Sequence, residues 1–389
     1  MNSLYFLLGA VVLTAVVADL IWTTLWVDGG SGPLSGRLAA GVWRGLRTAS
    51  GDDPKVLSTA GPAILTLTLA MWIGLIWIGW TLLFAGDETS LLSTHTGEPA
   101  DWTGRLYYVA YTMFTNGNGD YTPTSGGWEL ASSFTTATGM AFVTLGVSYV
   151  LTVLGAVSEK RAFANSVTGL GERREAFVRT GWTDRDEQFG GLERPIETLS
   201  EQFSLLADKH KAYPILHYYH SERASRASAV AVPILDEAVT VLRYGVPSEN
   251  RLNPALVENA ESSADSYVDT LDSAFIEPAA EFPPPPDLDR LREDGVPTVP
   301  DEEFADALEG MTHRRRQLLG IVRADAWRWP PVEVRDAGSD PGWDSRVTDR
   351  RAQRVFGLPG VGNNDKRSAR PSRARSRTVS SDAVSIAAA

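Results

Sequence analysis

Cysteine is absent from the 389-residue sequence, and lysine is rare, supplying only 5 of the 36 basic residues. Without a thiol the chain cannot form a disulfide, a thiolate zinc site, an iron–sulfur cluster or a cysteine nucleophile. The net charge of −12 argues against nucleic acid as a partner, because an acidic surface repels phosphate. Charge is lacking altogether from residues 62–84 and 130–157, which points to a membrane protein.

Three apolar runs are long enough to cross a membrane, at residues 4–27, 62–84 and 130–157. A helix of about 20 residues spans a hydrocarbon core of roughly 30 Å. Within these runs only Asp19 is charged. A carboxylate at that depth is expected to be paired, to reach the interface or to act in conduction and gating. No basic residue precedes the first run, so we expect a retained span rather than a cleaved signal peptide.

The loops between the runs differ in charge. Four basic residues lie in the loop at 28–57, whereas the loop at 87–105 has four acidic residues and one basic residue. Because positive loops stay in the cytoplasm, we expect the N-terminus outside and the C-terminal half in the cytoplasm. Leu and Val recur at every fourth position from 34 to 46, which predicts an amphipathic helix. That helix lies in the headgroup region or docks on protein.

Residues 105–123 are too polar to cross a bilayer and too apolar for an ordinary outer loop. The first ten lack Gly and Pro and can form a short helix, and residues 115–120 then read Thr-Asn-Gly-Asn-Gly-Asp. Alternating glycines permit positive φ, so successive carbonyls can point the same way. Irregular backbone at membrane depth must be buried in protein or line a watery cavity. Such carbonyls can replace the hydration shell of a cation.

This segment resembles the pore loop of tetrameric potassium channels with a two-span pore module, whose filter reads Thr-Val-Gly-Tyr-Gly-Asp. Tyr107 and Tyr108 stand where those pore helices carry paired Trp, and Pro123 completes a Gly-Asp-x-x-Pro ending. Gly139 has the spacing of the inner-helix hinge glycine, and the resemblance covers about residues 62–157. It implies a homotetramer in the cell membrane. The implied ion ligands are Thr115, Asn116, Gly117, Asn118 and Gly119.

The filter departs from the family pattern at two positions, because Asn116 replaces Val and Asn118 replaces Tyr. The resemblance implies a cation channel, with potassium as the preferred ion and no organic cofactor. A weakly selective or sodium-permeable channel and a non-conducting scaffold or sensor stay open as alternatives. Asp120 and Glu129 would form acidic rings at the outer mouth that concentrate cations. For Glu129 the alternative is a carboxylate that stabilises a helix start.

The C-terminal half shows helical periodicity and no glycine-rich phosphate fingerprint. His210, His217 and His220 are weak candidates for a metal or pH-sensing site, with an aromatic packing face as the alternative. Four consecutive prolines at 283–286 predict a stiff spacer. No acid–base pair has catalytic spacing, so we do not expect an enzyme. The expected helices lie at 192–212, 215–244, 253–275 and 301–327.

The sequence therefore predicts an all-α membrane protein. Each chain is expected to have three transmembrane helices, a re-entrant pore helix with a selectivity filter, and a helical cytoplasmic domain. The expected divisions are a first transmembrane helix (1–29), a cytoplasmic loop with the amphipathic helix (30–57), a pore module (58–158), the helical domain (159–333) and a disordered basic tail (334–389).

Overall fold

The computed structural model describes residues 2–27, 30–117, 119–184, 188–272 and 276–330. Three helical stretches in these ranges are long and apolar enough to cross a membrane, which confirms the all-α membrane fold and the multi-pass prediction. They contain helices α1 (Ser3–Leu25), α4 (Ala60–Ala85) and α6 (Gly126–Leu170). Between the first two lie α2 (Pro33–Ser50) and the short α3 (Pro54–Leu57).

The connection from α4 to α6 contains the re-entrant segment. Helix α5 (Trp102–Met113) lies within it, flanked by strands β1 (Leu91–Ser93) and β2 (Tyr121–Pro123). The strands pair antiparallel, with Leu92 opposite Thr122. Helix α6 continues to Leu170, so the domain boundary expected at 158 lies inside a continuous helix.

The helices of the C-terminal half surround α9 (Ser228–Thr240), whose residues are all buried. The single helix expected at 215–244 is wrong. A 3₁₀ turn (Pro214–Tyr218), a second one (Ala224–Arg226), α9 and a π-helical turn (Val241–Gly245) occupy that range. The other helices are α7 (Arg174–Gly181), α8 (Glu193–Ala212), α10 (Pro254–Asp272), α11 (Leu288–Glu293), α12 (Asp301–Gly310) and α13 (Thr312–Ala324).

Helices α1 and α4 pack closely along their length. A Cβ on Gly9 would lie 2.7 Å from the Gly79 carbonyl oxygen, and one on Gly79 would lie 2.8 Å from the Leu13 side chain. Small residues at a contact of two spans let the backbones approach. The first span is therefore held against the pore module by glycines on both helices.

The proline run is docked on the folded domain rather than acting as a free spacer. The Arg315 guanidinium donates to the Pro284 carbonyl at 2.8 Å, and that of Arg174 donates to the Pro285 carbonyl at 2.7 Å. Both arginines also pair with the buried Glu237 of α9. Burial raises the pKa of the Glu237 carboxyl above its ordinary value, while the two guanidinium groups oppose that shift. The tail expected at 334–389 lies outside the described residues.

Candidate functional site

Helix α5 is fixed at its start and along its sides. The Asp101 carboxylate caps it by accepting a hydrogen bond from the Gly104 N–H at 2.7 Å, as helix-capping aspartates do. The Tyr108 hydroxyl lies 2.6 Å from the Ser132 hydroxyl of α6. The Trp77 indole of α4 donates to the Leu106 carbonyl at 2.9 Å. The re-entrant helix is therefore wedged between two spans, as the pore-loop interpretation requires.

The backbone leaves the helical path directly after α5. Thr115 has φ of 60° and Gly117 has φ of 71°, so left-handed residues alternate along the segment expected to be the filter. Glycine adopts this conformation freely, whereas threonine adopts it only under constraint. The Asn116 N–H donates to the Tyr111 carbonyl at 2.9 Å and holds the turn. Asn118, predicted as an ion ligand, lies outside the described residues.

The outer end of this segment is tied to two elements. The Tyr107 hydroxyl of α5 donates to the Asp120 carboxylate at 3.0 Å, and His95 Nε2 lies 3.4 Å from the other carboxylate oxygen. The Thr94 hydroxyl donates to the Gly119 carbonyl at 2.8 Å. Sequence reasoning singled out Asp120 and Gly119 but missed Thr94, because Thr94 lies in a turn after β1 and a turn residue gives no periodic signal.

Gly139 lies on α6 against the end of α5. A Cβ at this position would lie 2.0 Å from the Met113 carbonyl oxygen, so only glycine permits this approach. The neighbouring Thr138 hydroxyl accepts a hydrogen bond from the Trp80 indole at 2.9 Å. The structure thus gives Gly139 a packing role, and its role as a gating hinge stays a prediction. Glu129 is exposed in the first turn of α6.

Asp19 is paired, and it joins three helices near the start of α2. Its carboxylate accepts hydrogen bonds from the Trp72 indole at 2.8 Å, the Ser35 hydroxyl at 2.5 Å and the Leu34 N–H at 2.7 Å. The backbone N–H groups of a helix start favour a carboxylate. The amphipathic helix predicted for the first loop is α2, which buries Ser35, Ala39 and Trp43.

A short stretch of the C-terminal half, residues 213–220, contacts the membrane helices, and we call it the junction segment. The buried Lys160 ammonium of α6 donates to the Leu216 and Tyr219 carbonyls at 2.8 and 3.2 Å. The Tyr219 ring covers Gly61 of α4, where a Cβ would lie 2.5 Å from the ring. The junction segment therefore links the C-terminal helices to both α4 and α6.

The three candidate histidines have separate surroundings. His210 Nδ1 bonds the Leu206 carbonyl at 2.9 Å, and burial lowers its pKa to about 3. His220 Nδ1 lies 3.3 Å from Asp325 and its ring stacks on Trp327. Throughout the described ranges, no three His, Asp or Glu side chains are grouped so as to hold a metal ion. The weak metal and pH-sensing roles of His210, His217 and His220 stay predictions. Helix α8 ends before Pro214, so His210 and His217 lie on different elements.

Two comparisons bear on this site. Residues 64–156 match a family model described as an ion channel. The chain is 42% identical over 333 residues to the uncharacterized membrane protein YdjJ of Bacillus subtilis (strain 168). That alignment covers 86% of this chain and 97% of the Bacillus protein. No solved structure matches the chain.

Proposed function

Because the chain belongs to the two-span pore-loop ion-channel family, we propose that it forms a homotetrameric cation channel with potassium as its preferred ion. The observation that carries this proposal is the wedged helix α5, followed by left-handed backbone at Thr115 and Gly117. Backbone carbonyls in such a segment can take the place of an ion's water shell. The proposed role is transport rather than catalysis.

The exposed surfaces of the single chain support four copies around an axis. Thr115, Asn116 and Gly117 are all exposed, although irregular backbone at membrane depth must line a cavity or be covered by protein. One loop cannot enclose an ion path, and a closed rotational ring of copies can. Helix α6 also presents exposed apolar side chains for lipid or neighbouring subunits, including Leu130, Phe134, Val143, Val147, Leu151 and Leu154.

The preferred ion is proposed from the filter and from the rings beside it. The Tyr107 ring lies 4.4 Å from that of Tyr111 and 6.4 Å from that of Tyr121. We infer that this aromatic cluster makes the filter more rigid. Asn118 cannot do so, because asparagine has no ring to pack behind the filter. A weakly selective or sodium-permeable pore is the competing proposal, since both filter asparagines depart from the potassium-channel pattern.

The cytoplasmic domain is proposed to gate the pore through the junction segment. The junction segment contacts Lys160 of the inner helix α6 and Gly61 of the outer helix α4. Because α8 leads directly into this segment, a rearrangement of α8 would act on both helices. The orientation we propose places the N-terminus outside, with α2 and the domain inside. Asp120 and the exposed Glu129 would then face the outer mouth and attract cations.

Reconstitution tests the proposal directly. The purified chain is placed in liposomes with potassium on one side and sodium on the other, and the reversal potential is measured. A Gly117→Ala variant is the control for contaminating current, because an L residue at φ of 71° is strained. A wild-type value near the potassium limit supports the proposal, and a value near zero with clear current supports the weakly selective alternative. The scaffold or sensor would be favoured by a current that persists unchanged in Gly117→Ala. It would also be favoured if removal of residues 160–389 gave folded tetramers that carry no current.

A further inference from the structure

We propose that Thr94 is a positioning residue of the filter. Its hydroxyl would fasten the outermost peptide group of the filter, and its backbone N–H the following one, to the two-stranded sheet of β1 and β2. This inference rests on the proposed channel function and adds to it an element outside the pore helix. The relevant peptide group joins Gly119 to Asp120.

Two donors of Thr94, its hydroxyl and its backbone N–H, connect it to that outer end. Its hydroxyl donates to the Gly119 carbonyl at 2.8 Å and lies 3.1 Å from the Asp120 carbonyl. Its backbone N–H donates to the Asp120 carbonyl at 2.9 Å. A carbonyl oxygen has two lone pairs, so the Gly119 oxygen engaged by Thr94 keeps one lone pair for an ion. Rotation of the peptide plane away from that position would break the hydroxyl bond.

Strand β1, which directly precedes Thr94, is itself anchored to the second span. The buried Ser90 hydroxyl donates to the Phe84 carbonyl near the end of α4 at 2.6 Å. The Leu91 side chain is fully buried, and its carbonyl accepts a hydrogen bond from the Ala100 N–H at 2.9 Å. Thr94 therefore connects the filter to an element held by packing as well as by hydrogen bonds.

Asp120 has a second partner through its side chain. The Tyr107 hydroxyl of α5 donates to its carboxylate, whereas the Thr94 N–H donates to its backbone carbonyl. The residue that ends the filter is thus bound by both the pore helix and the chain that follows β1. Position 118 carries asparagine, which has no ring to brace this end. A restraint from Thr94 would preserve the orientation of the Gly119 carbonyl, and ion discrimination depends on how the filter carbonyls are oriented.

The test compares three full-length variants in the liposome assay. Thr94→Val keeps the side-chain shape but removes the hydroxyl, Thr94→Ser keeps the hydroxyl, and Thr124→Val removes a hydroxyl of the same loop that donates to the Thr89 carbonyl. We expect Thr94→Val to lower the potassium-to-sodium permeability ratio about fivefold, the factor for one lost hydrogen bond. Thr94→Ser and Thr124→Val should retain the wild-type ratio. A purely structural role would reduce the amount of folded channel without changing this ratio.

A second measurement does not depend on conduction. Hydrogen–deuterium exchange of purified wild type and variants is followed in peptides covering residues 116–123. We expect exchange there to accelerate about fivefold in Thr94→Val and to stay unchanged in the other two variants. Equal exchange in Thr94→Val and wild type would overturn the role of Thr94. Absence of ion flux in every sample, including wild type from which residues 160–389 have been removed, would overturn the channel proposal, and the exchange result would still decide for or against Thr94.

Discussion

The indole N–H of Trp72 donates a 2.8 Å hydrogen bond to the carboxylate of Asp19. The two residues lie on different spans, and the same carboxylate binds the start of α2 through Ser35 and Leu34. An ionisable group at membrane depth is tolerated when such partners surround it. This contact makes Asp19 an anchor for three helices.

Replacing Asp19 by Ala should destabilise the chain by about 3 kcal/mol or more, because several buried donors lose their acceptor. Asp19→Asn keeps one acceptor oxygen and should lose less. The measurement is the thermal unfolding midpoint in detergent, combined with current per folded channel in liposomes. We expect the ion permeability ratio to stay at the wild-type value. A changed ratio in a well-folded Asp19→Asn protein would instead indicate a role in conduction.

Gly139→Ala should destabilise the pore module by about 1–3 kcal/mol, the usual effect of overpacking, because the new methyl group meets the Met113 carbonyl. Gly155→Ala is the matched control on the same helix, since its Cβ position has no neighbour within 4 Å among the described residues. That control should be neutral or stabilising by up to about 1 kcal/mol. Equal unfolding midpoints, with altered channel opening only in Gly139→Ala, would favour the hinge over the packing role.

Lys160→Met should weaken the junction by about 1–3 kcal/mol, because two carbonyls lose a buried charged donor. The proposed coupling also predicts a shift in the open fraction of single channels. Lys209→Met is the control, since the Lys209 ammonium makes only a 3.6 Å surface pair with Glu159, worth about 0–1 kcal/mol. An unchanged open fraction in folded Lys160→Met channels would argue against coupling through this residue.

Acidification should destabilise the C-terminal helical domain through His210. Burial depresses its folded pKa to about 3 from an ordinary 6.5, so below pH 6.5 the unfolded chain binds a proton that the folded chain rejects. The contribution of neutral His210 to the free energy of unfolding is fully present above that pH. Below it, this contribution falls by about 1.4 kcal/mol per pH unit. Unfolding midpoints at pH 7 and 5 should therefore differ less in His210→Gln than in wild type. The exposed His313 provides the control, and His313→Gln should keep the wild-type slope.

Asn116→Val combined with Asn118→Tyr restores the potassium-channel filter pattern. The double variant should raise the potassium-to-sodium permeability ratio by about tenfold, equivalent to about 1.4 kcal/mol. Asn165→Val, at an exposed position on the C-terminal part of α6, controls for the general effect of losing an amide. Unchanged ratios would contradict the view that these asparagines set the selectivity.

The spans and the pore helix could be predicted because run length and the absence of Gly and Pro are local signals. The end of α6 could not be predicted in this way. Glu159, Lys160 and Arg161 end the apolar run, but Glu, Lys and Arg are good helix formers in water. The helix therefore continues beyond the end of the apolar run.

The contacts that organise the site escaped prediction for a different reason. Lys160 binds carbonyls 56 and 59 residues away in sequence, and Thr94 binds one 25 residues away. No spacing rule reports such pairs. For Asp19 the sequence left pairing and conduction as alternatives, and only the position of Trp72 on the packed α4 reveals the pairing.

Helix α6 is a single helix of 45 residues, which at 1.5 Å per residue is about 68 Å long. This is roughly twice the thickness of a hydrocarbon core. It runs from β2, past the end of α5 at Gly139, to the C-terminal helices without a break. The contact with Met113 and the contacts of Lys160 therefore lie on one continuous helix. In the proposed channel, this helix is the covalent path by which a displacement at Lys160 would reach the pore helix.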